Sequence, residues 1–276
     1  MRLPGEGWYE LLRYRTDFRT GGATNERAAG FSFRTPNESR SAAMSARAAA
    51  RPEAEAPKEP LDIDEIFRRL RRAVADLPEA AMFALRDRGY ASPFEQLVGS
   101  LISARTRDET TVAVCERLFA VARRPAEIAA LDEAELVRLL HGATFPEPKA
   151  RDLKAIAQAI MGEHGGRVPD SMAELTAFRG VGPKIAALTL AVGFGRPAIA
   201  VDVHVHRVAN RWGYVATRTP EQTMAVLEAK LPQRYWIEIN ERLVPFGKSV
   251  CTGERPKCST CPLRSMCRQV GVANPR

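Results

Sequence analysis

The stretch FRGVGPKIAALTLAVGFGRPAIAVDVHVHR, Phe178 to Arg207, decides how the chain is read. A short helical pattern ends at Phe178, a Gly-x-Gly turn follows at Arg179-Gly180-Val181-Gly182, and an apolar helix begins with Pro183 at its first position, where the missing N–H costs nothing. This is a helix-hairpin-helix pattern. Glycine tolerates the positive φ that turns backbone N–H groups outward, and a helix N-terminus adds positive potential. Gly180, Val181 and Gly182 therefore form a dock for a phosphate, or else an ordinary turn between packed helices. Lys184 follows at the second helical position. The positive end of a helix disfavours a charged amine there, and a neutral amine is what nucleophilic catalysis requires, although a solvated surface lysine is the ordinary reading. Asp202, 18 residues further on, is placed to cap the helix VHVHRVANRW and equally to hold a carboxylate beside a developing positive charge. His204 and His206 share that segment without a further histidine or carboxylate to complete a metal set, so they read as structural or phosphate-side residues.

Outward from this stretch the pattern is helical. Asp62 or Asp64 caps a helix through about Leu77, with Ile63, Ile66, Phe67 and Leu70 on one stripe. Residues 92–104 are apolar nearly all round, as a buried central helix would be. Further helices are expected from Asp108, over Asp132–His141, over Lys149–His164, from Ser171 with a Ser171-x-x-Glu174 capping box, over Thr219–Leu231 and over Tyr235–Lys248. About ten helices and no convincing strand make the expected class all-α. Residues 1–60 mix Arg, Ser, Gly, Ala and Pro without periodicity and read as a flexible, disordered basic extension, in which Trp8 to Leu12 could form a transient helix and Met44 is an alternative start.

Four of the five cysteines lie in Cys251-x6-Cys258-x2-Cys261-x5-Cys267. Such local clustering favours a metal site in a reducing compartment over a disulfide scaffold. Four thiolates suit zinc or an iron–sulfur cluster. Zinc ribbons generally pair two Cys-x2-Cys knuckles and only one is present, which favours [4Fe–4S]. Arg255 and Lys257 in the six-residue loop form either a solvated basic loop or a phosphate-contacting one. Cys115 reads as a small buried hydrophobe.

With 276 residues the chain can bury a substantial core, and its net charge of +8 favours a polyanionic partner; a positive excess remains when the first 58 residues are set aside. No apolar run reaches the roughly 20 residues of a membrane span, and the start lacks the apolar core of a signal peptide.

Together GVGPK (180–184), VDVH (201–204) and the cysteine spacing resemble the endonuclease III family of helix-hairpin-helix DNA glycosylases with a [4Fe–4S] cluster. SPFEQLVGSLISARTRDE (92–109) is similar to that family's lesion-side helix and loop, so the resemblance covers about residues 62–270. It implies a two-lobed all-α fold, with a six-helix barrel domain over 86–196 and an iron–sulfur domain from 61–85 and 197–276. It further implies a monomer, with a cytoplasmic, nucleoid setting if bacterial, that binds duplex DNA carrying damaged bases or abasic sites. Lys184 matches the family's nucleophile, Asp202 its catalytic aspartate and Cys251, Cys258, Cys261 and Cys267 its cluster ligands. The implied activity is removal of oxidised pyrimidines through a lysine Schiff base, followed by β-elimination. Four positions depart from the family's pattern: Arg105 replaces a gap-filling glutamine, Phe145 a smaller aliphatic wedge, and Ile185 and Val203 each a threonine. These bear on lesion range, opposite-base preference and rate, and Arg105 would favour lesions opposite guanine. The alternatives are an adenine-mismatch glycosylase, which needs a glutamate near Ser100, and a damage-binding module without catalysis.

Overall fold

The structure, a computed structural model, describes residues 57–276, and over these it is helical with no strand. The expected flexibility of the extension, the helix at Trp8 to Leu12 and the start at Met44 lie outside the described residues. The last residues assigned to that extension are pinned: Glu59 N–H donates to Ser265 O at 2.9 Å, and Ser265 Oγ donates to Glu59 Oε2 at 2.9 Å.

Twelve α-helices follow one another among the described residues. They are α1 (Ile63–Ala73), α2 (Ala81–Asp87), α3 (Pro93–Ser103), α4 (Asp108–Phe119), α5 (Pro125–Ala130), α6 (Glu133–Leu139), α7 (Pro146–Glu163), α8 (Met172–Ala177), α9 (Pro183–Leu188), α10 (Val203–Trp212), α11 (Pro220–Lys230) and α12 (Glu238–Ser249). A π-helical turn at Thr189–Gly193 extends α9, and a 3-10 turn at Gln233–Tyr235 precedes α12. The caps expected from sequence form: Asp62 closes α1, accepting from the N–H groups of Asp64 and Glu65 at 2.9 and 3.2 Å. At α8 the expected capping box is half made. Ser171 Oγ accepts from Glu174 N–H at 3.2 Å, but the Glu174 carboxylate takes the Ser171 hydroxyl proton instead of a backbone N–H. Two helices escaped the sequence reading. α2 has no side-chain cap, and α5 is closed by the Glu127 carboxylate, which accepts from the N–H groups of Arg123 and Arg124 at 2.8 and 3.0 Å.

Two apolar cores organise these helices. The first gathers α2 to α9 around α3, which is buried on every side, including its polar residues Glu95, Gln96 and Ser100. Gln96 Nε2 donates to Met82 O and Tyr90 O at 3.2 and 2.7 Å, so its burial is compensated. The second core joins α1 to α10, α11 and α12, with Trp212 and Phe67 among its fully buried side chains and the cysteine loop packed beside it. Residues 61–85 therefore divide: Ile66, Phe67 and Leu70 of α1 enter the second core, whereas Ala81, Met82, Phe83 and Leu85 of α2 enter the first, because α2 lies against α3. Between the cores the chain is extended. Ala198 and Ala200 face the first core, and Ile199 and Val201 face the second, the alternation an extended segment imposes. Asn240 Nδ2 of α12 donates to Ala200 O at 3.1 Å and holds this connector in place.

The π-helical turn meets α3 so closely that a Cβ on Gly193 would stand 2.7 Å from Pro93 Cα, a backbone atom that cannot swing aside. Gly193→Ala should lower stability by about 1–3 kcal/mol in urea unfolding followed by circular dichroism, the usual penalty of overpacking.

Candidate active site

α9 carries Lys184 and α10 is preceded by Asp202, so the two residues come from opposite ends of the extended connector. The fold brings Lys184 Nζ to 3.5 Å from Asp202 Oδ2, with the lysine side chain 42% exposed and the aspartate 11%. The carboxylate divides its oxygens. Oδ1 accepts from the N–H groups of His204 and Val205, both at 2.9 Å, closing α10, while Oδ2 faces the lysine. Two cavities meet at Lys184. One of about 240 Å³ is lined by Ser100, Ser103, Ile185 and Met224. The other, an open cleft of about 750 Å³, is lined by Arg105, Asp108, Asp202, Val203 and Lys248. An ion pair between Lys248 of α12 and Asp108 of α4 spans that cleft, and Arg86 of α2 pairs with Glu241 of α12 at 3.3 Å. Neither pair was anticipated, because each links helices remote in sequence. Ser100, near which the adenine-mismatch alternative would need a glutamate, is buried.

At the hairpin only the first glycine needs its special freedom. Gly180 has φ +81°, and a Cβ there would stand 3.0 Å from Asp152 Oδ2, whereas Gly182 has an ordinary φ of −91°. Val181 departs from the expected dock: its side chain is buried and its N–H donates to Phe178 O at 3.1 Å, which closes the hairpin itself. Among the described residues the N–H groups of Gly180 and Gly182 have no acceptor in the chain.

Arg105 and Phe145 are both exposed, Phe145 by 56%, and both adopt left-handed backbone, at φ +59° and +55°. The Thr144 hydroxyl, which donates to Arg105 O at 2.9 Å, joins their loops. Sequence reasoning passed over Lys149, expected only as the start of a helix that in fact begins at Pro146. Its ammonium is buried and donates to Ile102 O, Ala104 O and Thr106 Oγ1 at 2.6, 2.8 and 3.0 Å. A signal was present, since Lys149 occupies the buried stripe that continues through Leu153, Ile156, Ala157 and Ile160.

His204 and His206 are both held by neighbouring side chains. Burial lowers the pKa of His204, whose Nδ1 lies 3.1 Å from Arg207 Nη2, and His206 Nδ1 lies 2.6 Å from Thr223 Oγ1. Cys115 is buried, and burial pushes its thiol well above the usual range.

The thiols of Cys251, Cys258, Cys261 and Cys267 are free and line one small cavity with Arg211, Trp212 and Lys257. Among the described residues no three His, Cys, Asp or Glu side chains converge tightly enough to hold a single metal ion. Burial pushes the Cys261 thiol up to about 11 and also raises Cys267, while the backbone N–H groups of Leu263 and Gln269 act the other way by pointing at these sulfurs. Arg211 Nη1 donates to Cys251 Sγ at 3.5 Å. Arg255 and Lys257 are exposed on either side of buried Pro256, whose carbonyl accepts from Arg276 N–H at 2.9 Å.

Residues 98–233 match the HhH-GPD superfamily of base excision DNA repair proteins. Endonuclease III of Thermotoga maritima is 41% identical over 182 residues, covering 66% of this chain and 85% of that protein. The chain belongs to the endonuclease III family. Members of this family are DNA glycosylases with AP lyase activity. The fold is similar to that in a non-covalent endonuclease III–DNA complex, with a TM-score of 0.65 and 28% identity over 75% of this chain and 94% of the other. It is also similar to a trapped endonuclease III–DNA covalent intermediate, with a TM-score of 0.64 and 28% identity over 76% of this chain and 97% of the other.

The two oxygens of Asp202 allow its helix-capping and charge roles to be separated. Asp202→Ala should lose about 1–2 kcal/mol of stability with the cap, and Asp202→Asn less than half as much, as measured by urea unfolding.

Proposed function

We propose that this protein is a bifunctional DNA glycosylase and AP lyase of base excision repair that removes oxidised pyrimidines from duplex DNA. The observation that carries this reading is the 3.5 Å approach of Lys184 Nζ to Asp202 Oδ2 where two cavities meet beside the hairpin. The net charge of +8 and the unengaged N–H groups of Gly180 and Gly182 support backbone contact with DNA, for which Val181 supplies only packing.

The geometry supports the following chemistry. A damaged pyrimidine leaves the stack, at least cost where its pairing is already weak, and its sugar enters beside Lys184. The Asp202 carboxylate takes a proton from the lysine and hands it to the departing base, which leaves with the electron pair of its bond to C1′ as the free amine attacks that carbon, so the carboxylate is charged again. Two backbone N–H groups and the N-terminus of α10 hold the Asp202 charge beside the cationic sugar. Opening of the sugar gives a Schiff base on Lys184. Loss of a proton from the neighbouring carbon then expels the 3′ phosphate and cuts the strand. Arg105 and Phe145 are proposed to enter the duplex beside the vacated position, with Arg105 able to make paired hydrogen bonds to an opposite guanine. Arg255 and Lys257 are proposed to contact phosphates from the cysteine loop.

Cys251, Cys258, Cys261 and Cys267 are proposed to hold a [4Fe–4S] cluster that keeps this loop in shape. The single Cys-x2-Cys knuckle, where zinc ribbons generally pair two, favours a cluster over zinc. Backbone and Arg211 donors aimed at the sulfurs suit thiolate ligands.

Borohydride should trap the chain covalently on an abasic-site duplex, and Lys184→Ala should abolish trapping while retaining DNA affinity; undiminished trapping in that variant would remove Lys184 from its role. Equal excision of one oxidised pyrimidine opposite each of the four bases would refute the guanine preference. The purified protein should absorb near roughly 400 nm. Cys258→Ser should lose that band, and a colourless, zinc-loaded protein would overturn the cluster.

A further inference from the structure

The carbonyl groups at the C-terminal end of α3 lack the i+4 N–H partners of the helix interior, yet each from Ser100 to Arg105 is met by an identified donor. Ser100 O accepts from Ser103 Oγ at 2.7 Å, Leu101 O from Ala104 N–H at 3.3 Å and Ser103 O from Thr106 N–H at 3.0 Å. The other three are met from the segment Thr144 to Lys149. Lys149 Nζ donates to Ile102 O and Ala104 O at 2.6 and 2.8 Å, and Thr144 Oγ1 donates to Arg105 O at 2.9 Å. The third ammonium proton goes to Thr106 Oγ1 at 3.0 Å, and that same oxygen accepts from Thr144 N–H at 3.2 Å.

Lys149 is only 7% exposed, and these hydrogen-bond partners are neutral oxygens. A buried ammonium is a costly way to end a helix where an apolar side chain could pack, so the backbone geometry it enforces calls for a reason. That geometry is unusual twice over: Arg105 and Phe145 both take left-handed backbone, which non-glycine residues rarely adopt, and both leave their side chains exposed. Burial lowers the Lys149 pKa to about 8, so the ammonium form with all three donors prevails at neutral pH.

We propose that Lys149 is a positioning residue for lesion extrusion: its ammonium ties the Arg105 loop to the Phe145 loop, so that the two exposed side chains enter the duplex as one rigid wedge. The proposal rests on the glycosylase reading above, since a wedge has work only where a base leaves the stack. A wedge ordered beforehand loses little conformational entropy on entry, which favours the extruded state. Lys149 lines neither cavity at Lys184, so it acts on extrusion and not on the attack at C1′.

Lys149→Met keeps the length of the side chain and removes its donors, and Lys149→Arg restores charge and donors. Single-turnover excision of an oxidised pyrimidine should slow by about tenfold or more in Lys149→Met, the scale of leaving buried carbonyls unpaired, and Lys149→Arg should recover part of the rate. A fluorescent adenine analogue opposite the lesion should lose its unstacking signal in Lys149→Met. Borohydride trapping on a preformed abasic site, where no base has to leave the stack, should stay within about threefold of the unmodified chain. Equal loss in both assays would make Lys149 a general support of the fold and overturn the proposal, as would unchanged excision. Should Lys149→Met fail to fold by circular dichroism, Thr144→Val removes the link between the loops from its half-buried side and must give the same split; its absence there also overturns the proposal. No trapping by the unmodified chain would refute the glycosylase reading itself.

Discussion

One oxygen of Asp202 is committed to the backbone of α10, and only the other is left to face Lys184. This constraint couples the candidate site to the whole fold. A capping residue stands where its helix begins, and α10 is placed by the second core, in which Val205, Val208 and Trp212 are buried. Lys184 belongs to α9, whose Ala186, Ala187 and Leu188 are buried in the first core. The separation of the two functional groups is therefore set by how two independently packed cores meet along one extended connector.

That connector explains why the junction is definite. Its side chains alternate between the cores, so sliding it by one residue would exchange Ile199 and Val201 for Ala198 and Ala200 and leave both cores misfilled. The Lys248–Asp108 pair across the cleft and the Arg86–Glu241 pair between α2 and α12 add orientation more than stability, since partly exposed pairs are worth little individually. The cysteine loop is held in the same distributed way. Glu59 bonds Ser265 from one end of the described chain, and Arg276 bonds both Pro256 and Ser259 from the other. Arg255 and Lys257 thus project from a loop anchored on several sides.

Much of the helical fold was legible because its signals are local. Asp62, Ser92, Asp132, Ser171, Asp202 and Thr219 all act as N-caps, and each announces its helix within a few residues. α2 and α5 were missed for the same reason reversed: one has no capping side chain, and the other is capped by a glutamate that reaches back to arginine N–H groups. The hairpin was legible as a turn, but Val181 was misjudged as part of an outward dock. Whether an N–H points at a ligand or closes its own turn depends on dihedral angles that a Gly-x-Gly pattern does not specify.

A resemblance to a known family singled out Lys184 and Asp202, whereas the sequence by itself determined the helical class, the hairpin and the four-cysteine loop. These rest on short-range rules of capping, periodicity and spacing, which act over one or two turns. Only the tertiary structure decided that Lys184 and Asp202 meet at 3.5 Å, that α2 belongs to the first core, and that a lysine in the buried stripe of α7 ends α3 and joins the Arg105 and Phe145 loops. The physical reason is that distances between residues remote in sequence follow from how buried faces pack, and a buried lysine is explained only by the carbonyl groups the fold aims at it.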